Sequence, residues 1–439
     1  MKEPSPRELA LGILLEVTAQ KTYSHIAIRN VLEKYAYLDA KKRAQIRRLS
    51  SGTLEKLIRL DAVINLFSKV KTNKMKPVIR NILRMAVYEM LYMDAVPVPS
   101  SVDEAVKLAE RKGFRNLKGF VNGVLRSVAG HLDELDQMLP RTLSVRYSMP
   151  EWIIAQWTKE YGIEKTEEIL KGFETEAPLN VHVCEPAMPE TELLGLWRDE
   201  GIAFEATELL HTFRISGFDQ LTRLPSFQKG GFFVQDLSSM KALSSLPLSP
   251  GMKILDVCGA PGGKAMFLSD ALFRLQKETG TGSESLIICR DLTAEKVSHI
   301  HENLLRCHLH GCTAEVHDAL CSDPEWIEKA DAVIADLPCS GLGVLGRKPD
   351  IKLRQSLEGC RELSSLQRRI LKTVAAYVKP GGYLLYSTCT ISRIENEENV
   401  NAFLSEHPDF SPVKSEQLFP VSGVQDGFFY ALLQKKETP

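Results

Sequence analysis

Two cysteines in the last third of the chain stand where a side chain could attack a bound molecule. Cys339 follows the apolar run Ala332–Ala335, in Ala335-Asp336-Leu337-Pro338-Cys339-Ser340-Gly341. Cys389 follows Tyr383–Tyr386, in Tyr386-Ser387-Thr388-Cys389-Thr390. Both runs read as strands, and in an open α/β sheet ligands bind beyond the carboxyl ends of the strands. A lone cysteine is usually a small buried hydrophobe. Two at one sheet edge suggest a thiolate nucleophile and a covalent intermediate. Placement alone does not say which of the two attacks.

A second motif points to a nucleoside. Ile254-Leu255-Asp256-Val257-Cys258-Gly259-Ala260-Pro261-Gly262-Gly263-Lys264 runs from a strand through a glycine-rich turn into a helix. Glycines let backbone approach a ligand closely and take up positive φ. A phosphate-cradling P-loop fails here, because the Gly259 to Gly263-Lys264 spacing is one residue short and Ala265 replaces the magnesium-binding hydroxyl. The dinucleotide pattern Gly-x-Gly-x-x-Gly is also missing. What remains is a row of acids: Asp256 before the turn, Asp291 ending the next strand, and Asp318 after the third. An acid at the second position accepts hydrogen bonds from ribose hydroxyls, and Asp318 is placed for an adenine edge. Such a row suits a sulfonium nucleoside, which has no phosphate to repel, so S-adenosylmethionine is the expected cofactor. A cysteine then suits methylation at carbon 5 of cytosine. Thiolate addition at carbon 6 makes carbon 5 enamine-like, and Asp336 is placed to stabilise the adduct at N3.

The elements that must position these groups follow from periodicity. From residue 231 onward, strands are expected at Lys253–Val257, Leu286–Cys289, Ala314–Val316, Ala332–Ala335 and Tyr383–Tyr386. Helices Gly263–Leu275, Glu295–Leu305 and Leu363–Val378 separate most of them, which implies a parallel sheet flanked by helices. Gly427–Leu433 is expected as a last strand in an antiparallel hairpin with the fifth. Thr279–Glu284 reads as a turn-rich loop. Residues 5–130 read as helical. Leu9, Ile13, Leu14 and Val17, and Ile79, Ile82, Leu83, Ala86, Val87 and Met90, recur at helix spacing. Val96-Pro97-Val98-Pro99 should break one helix and Ser100 or Ser101 cap the next, near Val102–Arg111. A further helix is expected near Phe120–Val128. Between these regions, Trp152–Glu160 looks helical, with short strands at Leu179–Val183 and Ala203–Phe204. The expected organisation is an all-α bundle over 1–135, a small α+β connecting domain over 136–230, and an α/β Rossmann-like methyltransferase domain over 231–439.

Charge is distributed unevenly. Residues 1–130 carry 24 Lys+Arg against 12 Asp+Glu, a net of +12, while the remainder nets −13. A basic segment joined to an acidic one points to a polyanion partner; a solvated basic surface is the plainer reading. Nine cysteines, odd in number and without Cys-x-x-Cys, argue against a disulfide framework and for a reducing compartment. With no apolar signal at the start and no membrane-length apolar run, a cytoplasmic protein is expected.

The carboxy-terminal part resembles the RNA cytosine-C5 methyltransferases of the Nol1/Nop2/Sun family. The matching residues are Gln235-Asp236, Asp256–Lys264, Asp336–Gly341, Arg347-Lys-Pro-Asp350, Ser387-Thr-Cys-Thr390, Glu395-Asn-Glu-Glu398 and Asp426-Gly-Phe-Phe429. The resemblance implies that Cys389 is the nucleophile and Cys339 assists product release. It implies cofactor contacts from Cys258, Gly259, Ala260, Pro261, Gly262, Gly263 and Lys264, with Asp291, Asp318 and Asp336, and that Lys264 also faces the base. Gly259 stands where the family usually has Ala, Ala265 where Thr is common, and Leu337 and Leu342 replace Ala and Thr. Residues 5–130 resemble the NusB-type RNA-binding domain, through Val102–Glu110 and Phe120–Arg126. That fusion resembles the bacterial Sun/Fmu type, which implies small-subunit (16S) ribosomal RNA as partner. No DNA or membrane partner is expected; a monomer is favoured, and the sequence does not fix the oligomeric state. Val181-His182-Val183-Cys184 departs from the family's Arg-Val-Asn, which puts RNA contact there in doubt.

Two other functions stand beside this one: the same chemistry on tRNA, and a non-catalytic RNA-binding assembly factor. Intact Cys389, Cys339, Asp336 and Lys264 weigh against the second. His299, His301, His308 and His310 near Cys307 and Cys312 meet no standard zinc spacing, so no metal is expected. Arg43, Arg47 and Arg48 read equally as phosphate contacts or a solvated helix face. Trp152 and Trp157 read as core rather than as a stacking platform.

Overall fold

The computed structural model describes residues 4–175, 178–280 and 284–437. These fall into two compact units, one within Met1–Glu174 plus Leu345–Gln355, the other within Thr175–Val344 plus Ser356–Pro439.

The first unit is helical. Its core is built from the residues whose spacing predicts it, with Leu9, Ile13, Leu14 and Val17 of Pro6–Ala19 packed with Ile79, Ile82, Leu83, Ala86 and Val87 of Pro77–Tyr92. Ser5 and Asp39 cap their helices by accepting from the Glu8 and Lys42 backbone N–H groups. The expected serine cap after the proline pair is not formed. The helix begins earlier, at Val98, with Pro97 at the N-cap position and Pro99 in the first turn. Proline needs no N–H partner there, so Ser101 is carried inside the helix and buried. The segment Leu345–Gln355 belongs to this unit through its own contacts. The Asp350 carboxylate accepts from Ser24 N–H at 3.1 Å and Ser24 Oγ at 2.5 Å. Lys352 Nζ donates to the Glu55 carbonyl at 2.6 Å, and Arg354 donates to the carbonyls of Lys21 and Thr22.

The second unit holds two sheets. The smaller is antiparallel, in the order Ala203–Ala206, Thr212–Ser216, Leu179–Val183, Phe232–Val234. Two of these strands were expected; Thr212–Ser216 and Phe232–Val234 were not. His182 and Cys184 point inward: His182 Nε2 lies 2.9 Å from Asp270 Oδ2, and Cys184 Sγ donates to the Cys307 carbonyl.

The larger sheet comprises β1 (Lys253–Asp256), β2 (Leu286–Asp291), β3 (Cys312–Val316), β4 (Ala330–Asp336), β5 (Val378–Thr388), β6 (Phe410–Leu418) and β7 (Phe428–Lys435). Its order is β6-β7-β5-β4-β1-β2-β3, with β1 to β5 parallel. Helix α1 (Gly263–Thr279) follows β1, α2 (Ala294–Arg306) follows β2, α3 (Leu357–Ala375) precedes β5, and α4 (Glu397–Glu406) follows it. The last strand does pair antiparallel with β5, Phe429 opposite Thr388. It is no simple hairpin, because α4 and the unexpected edge strand β6 intervene. Thr279 ends α1 and Gly280 caps it at φ +66; residues 281–283 of the expected loop lie outside the described residues. The winding reverses between β1 and β4, which opens a crevice at their carboxyl ends.

Candidate active site

The glycine turn is shaped by what surrounds it. Gly259 N–H donates to the Arg290 carbonyl at 2.8 Å and Gly262 N–H to the Gly259 carbonyl at 2.7 Å. A Cβ on Gly259 would lie 2.1 Å from Cys289 Sγ and 2.7 Å from Asp256 Oδ2. A Cβ on Gly263 would lie 2.0 Å from Gln235 Oε1, so the Gln235 motif packs directly against the start of α1. Gly262 holds φ +104, a value only glycine adopts freely. Asp291, at the end of β2, accepts from Ala260 N–H at 3.1 Å, Leu292 N–H at 2.7 Å and Lys296 Nζ at 2.8 Å. Asp318 lies just past β3 and accepts from Leu320 N–H.

Asp256 is fully buried, and its Oδ1 has no partner among the described residues. Burial raises its carboxyl to about 7; the Lys264 charge opposes this, and Asp336 and Asp291 reinforce it. An orphaned buried carboxylate oxygen beside a glycine turn, with further acids at the neighbouring strand ends, fits a cationic nucleoside.

Across the switch point, Lys264 at the start of α1 is ion-paired with Asp336 at the end of β4. Burial works against the ammonium, but Asp336 and Asp256 more than offset it and raise its pKa. Ser387 Oγ donates to Asp336 Oδ1 at 2.9 Å. Beyond this pair lie both cysteines, half-buried, with Cys339 Sγ 3.2 Å from Cys389 Sγ. The thiol of Cys339 is held well above its ordinary range, first by its hydrogen bond to Cys389 and then by burial. The two sulfurs share one hydrogen bond in which either can be the donor, so the geometry marks the pair as the reactive centre without choosing between them. The structure thus brings together Lys264, Asp336, Cys339 and Cys389, with the turn Cys258–Gly263 and Asp291 and Asp318 along the same edge.

Sequence reasoning assigned no role to a buried polar cluster behind the cysteines. Glu395 accepts from Ser340 N–H at 2.8 Å, Ser340 Oγ at 2.5 Å and Gln367 Nε2 at 3.1 Å. Gln367 also donates to the Pro338 carbonyl at 2.9 Å. Asn396 accepts from Thr388 Oγ1 and donates to the Thr390 carbonyl. The only signal in the sequence was the recurrence of Glu395 and Asn396 among the family-like motifs. The remaining candidates fall elsewhere. His299, His301, His308 and His310 are exposed, and among the described residues no group of three or more His, Cys, Asp or Glu side chains could hold a metal ion. Trp157 is buried and stacks on Phe173, while Trp152 is half-buried. Arg43 is buried, whereas Arg47 and Arg48 are exposed.

The strand order, the glycine turn and the acids beside it define an S-adenosylmethionine-dependent methyltransferase. Residues 244–434 match the family model of the 16S rRNA methyltransferases RsmB/F, residues 4–130 the NusB family, and residues 149–214 the ferredoxin-like domain of RsmF/B-like methyltransferases. A probable ribosomal RNA small subunit methyltransferase B of Bacillus subtilis is 32% identical over 458 residues, covering 99% of this chain and 100% of that one. The ribosomal RNA small subunit methyltransferase B of Proteus mirabilis is 29% identical, covering 97% and 98%. The chain belongs to the ribosomal RNA small subunit methyltransferase B family. In fold it is similar to the crystal structure of PH0851, with a TM-score of 0.79 at 24% identity, covering 99% of this chain and 100% of that one. It is also similar to NSun6 from Pyrococcus horikoshii with SFG, with a TM-score of 0.58 at 19% identity, covering 66% and 99%. Among the described residues no helix is long and apolar enough to cross a membrane.

Proposed function

We propose that this protein methylates carbon 5 of one cytosine in small-subunit (16S) ribosomal RNA through a covalent Cys389–carbon 6 adduct. The observation that carries the reading is the Cys339–Cys389 pair, 3.2 Å apart, beside the Lys264–Asp336 ion pair at the switch point. Along the chain, 1–135 binds RNA, 136–230 connects, and 231–439 carries the chemistry. The net charge of +12 on residues 1–130 supports backbone contact to RNA.

Residues 258–264, Asp291, Asp318 and Asp336 would hold the cofactor, and S-adenosylmethionine supplies an electrophilic methyl group when bound. The Cys389 thiolate adds to carbon 6, and N3, where the displaced electron pair collects, takes up a proton passed to it through Asp336, which Lys264 and Ser387 orient. Carbon 5, now enamine-like, accepts the methyl group. Release then needs the carbon-5 proton to leave and the carbon 6–sulfur bond to break. Cys339 gives its proton to the departing Cys389 sulfur and takes the proton from carbon 5, whose electron pair forms the new double bond, while N3 returns its proton through Asp336. Both cysteines are then thiols, and the one proton the reaction releases leaves when Cys389 ionises for the next attack.

Bisulfite sequencing of RNA from cells with and without the protein tests this. Loss of methylation at a single small-subunit cytosine is the expected result. Loss confined to tRNA would move the substrate, and no loss in any RNA would favour a non-catalytic assembly factor.

A further inference from the structure

The Cys339 loop hangs from one buried carboxylate, and the next residue in the chain holds the Cys389 loop. Glu395 is fully buried, 55 residues from Ser340 in sequence. It receives the N–H and the hydroxyl of Ser340, the residue after Cys339, together with the Gln367 amide and the Cys360 thiol. Gln367 holds the Pro338 carbonyl on the other side of Cys339. Ser340 Oγ also lies 2.9 Å from Thr390 Oγ1, next to Cys389. The neighbour Asn396 grips the Cys389 loop on both flanks, through Thr388 Oγ1 at 2.6 Å and the Thr390 carbonyl at 3.0 Å. A carboxylate this deep is costly to bury unless its lone pairs are filled. Here they are filled by Ser340, which follows Cys339, and by Gln367 and Cys360 of α3, and the Ser340–Thr390 contact ties one loop to the other.

We propose that Glu395 is a positioning residue for product release, setting the Cys339 sulfur against the Cys389 sulfur so that the adduct can break down. The inference rests on the reading above, in which Cys389 attacks and Cys339 assists elimination. Glu395 touches neither sulfur; it acts through Ser340 and Gln367. Displacing a catalytic group by about 1 Å costs up to about 100-fold in rate. Loss of Glu395 should therefore slow turnover by roughly 10- to 100-fold at the release step, and leave attack and methyl transfer much less affected.

The experiment uses the full chain with unmethylated small-subunit ribosomal RNA from cells lacking the protein. Its readouts are multiple-turnover methylation, S-adenosylmethionine affinity, and protein–RNA adduct surviving denaturing gels. The variants are Glu395→Ala, Glu395→Gln, Ser340→Ala, Cys339→Ala and the Cys339→Ala/Glu395→Ala double. Ser340→Ala keeps the volume of the loop and guards against simple misfolding of Glu395→Ala. Expected are unchanged cofactor affinity, adduct accumulation in Glu395→Ala and Ser340→Ala, partial rescue in Glu395→Gln, and no further accumulation in the double variant than in Cys339→Ala. Adduct in Cys339→Ala but none in Glu395→Ala or Ser340→Ala would overturn this inference alone. So would cofactor affinity that falls in step with turnover, since that marks general damage. Absence of adduct in Cys339→Ala would overturn the underlying reading, and the inference with it.

Discussion

The structure predicts that Gly259→Ala will weaken cofactor binding. The new Cβ would sit 2.1 Å from Cys289 Sγ and 2.7 Å from Asp256 Oδ2. Neither neighbour yields easily, since Cys289 and Asp256 are both fully buried. Overpacking a tight site costs about 1–3 kcal/mol, and each ~1.4 kcal/mol is tenfold in affinity. If the strain falls on the turn, S-adenosylmethionine affinity should drop by roughly 5- to 150-fold. The cause is specific, so the remedy is too: Cys289→Ala removes the nearest obstacle. Titration calorimetry on the wild type, both single variants and the double variant measures the coupling. The double variant should bind more tightly than Gly259→Ala alone. Binding by Gly259→Ala equal to wild type, or a double variant no better than additive, would refute the argument that Gly259 is required by Cys289.

Three other outcomes are expected. Cys389→Ala should abolish methylation while calorimetry shows cofactor binding intact; full activity would remove Cys389 as nucleophile. Asp256 has its carboxyl raised by burial from 3.8 to about 7. The folded protein therefore holds a proton that the unfolded chain has released, and stability should fall as pH rises from about 4 to 7; thermal melts of Asp256→Asn should lack that part of the slope. Lys352, lowered by burial to about 7, has the opposite sign. Its contribution is lost as pH falls toward 7, so the wild-type melting temperature should gain between pH 7 and 9 relative to Lys352→Met.

The parts of the fold that could be read from the sequence are those whose signal is local. The β1 turn, the acids at successive strand ends and the two cysteines all follow short apolar runs, and the structure places them on one sheet edge. The edge strand β6 was missed because Pro412, Lys414 and Glu416 interrupt its apolar alternation. It forms because β7 offers it a ladder, with Glu416 opposite Tyr430. Glu395 was hidden for a different reason. It opens the acidic run Glu395-Asn-Glu-Glu398, and a charge run normally reads as a solvated face. Its burial is explained by donors brought from Ser340, Gln367 and Cys360. Ser101 misled in the reverse way, since a good capping residue was displaced by prolines that needed no cap.

The short excursion of the chain through the helical unit at Leu345–Gln355 bears on how such a protein could be recombined. A single junction near residue 174 would exchange most of one unit but leave this segment behind. Grafted onto a foreign bundle, Asp350 would lose the Ser24 N–H and hydroxyl, and Lys352 the Glu55 carbonyl. A working chimera must therefore carry the helical bundle and this distant segment together, as one inherited piece encoded in two places.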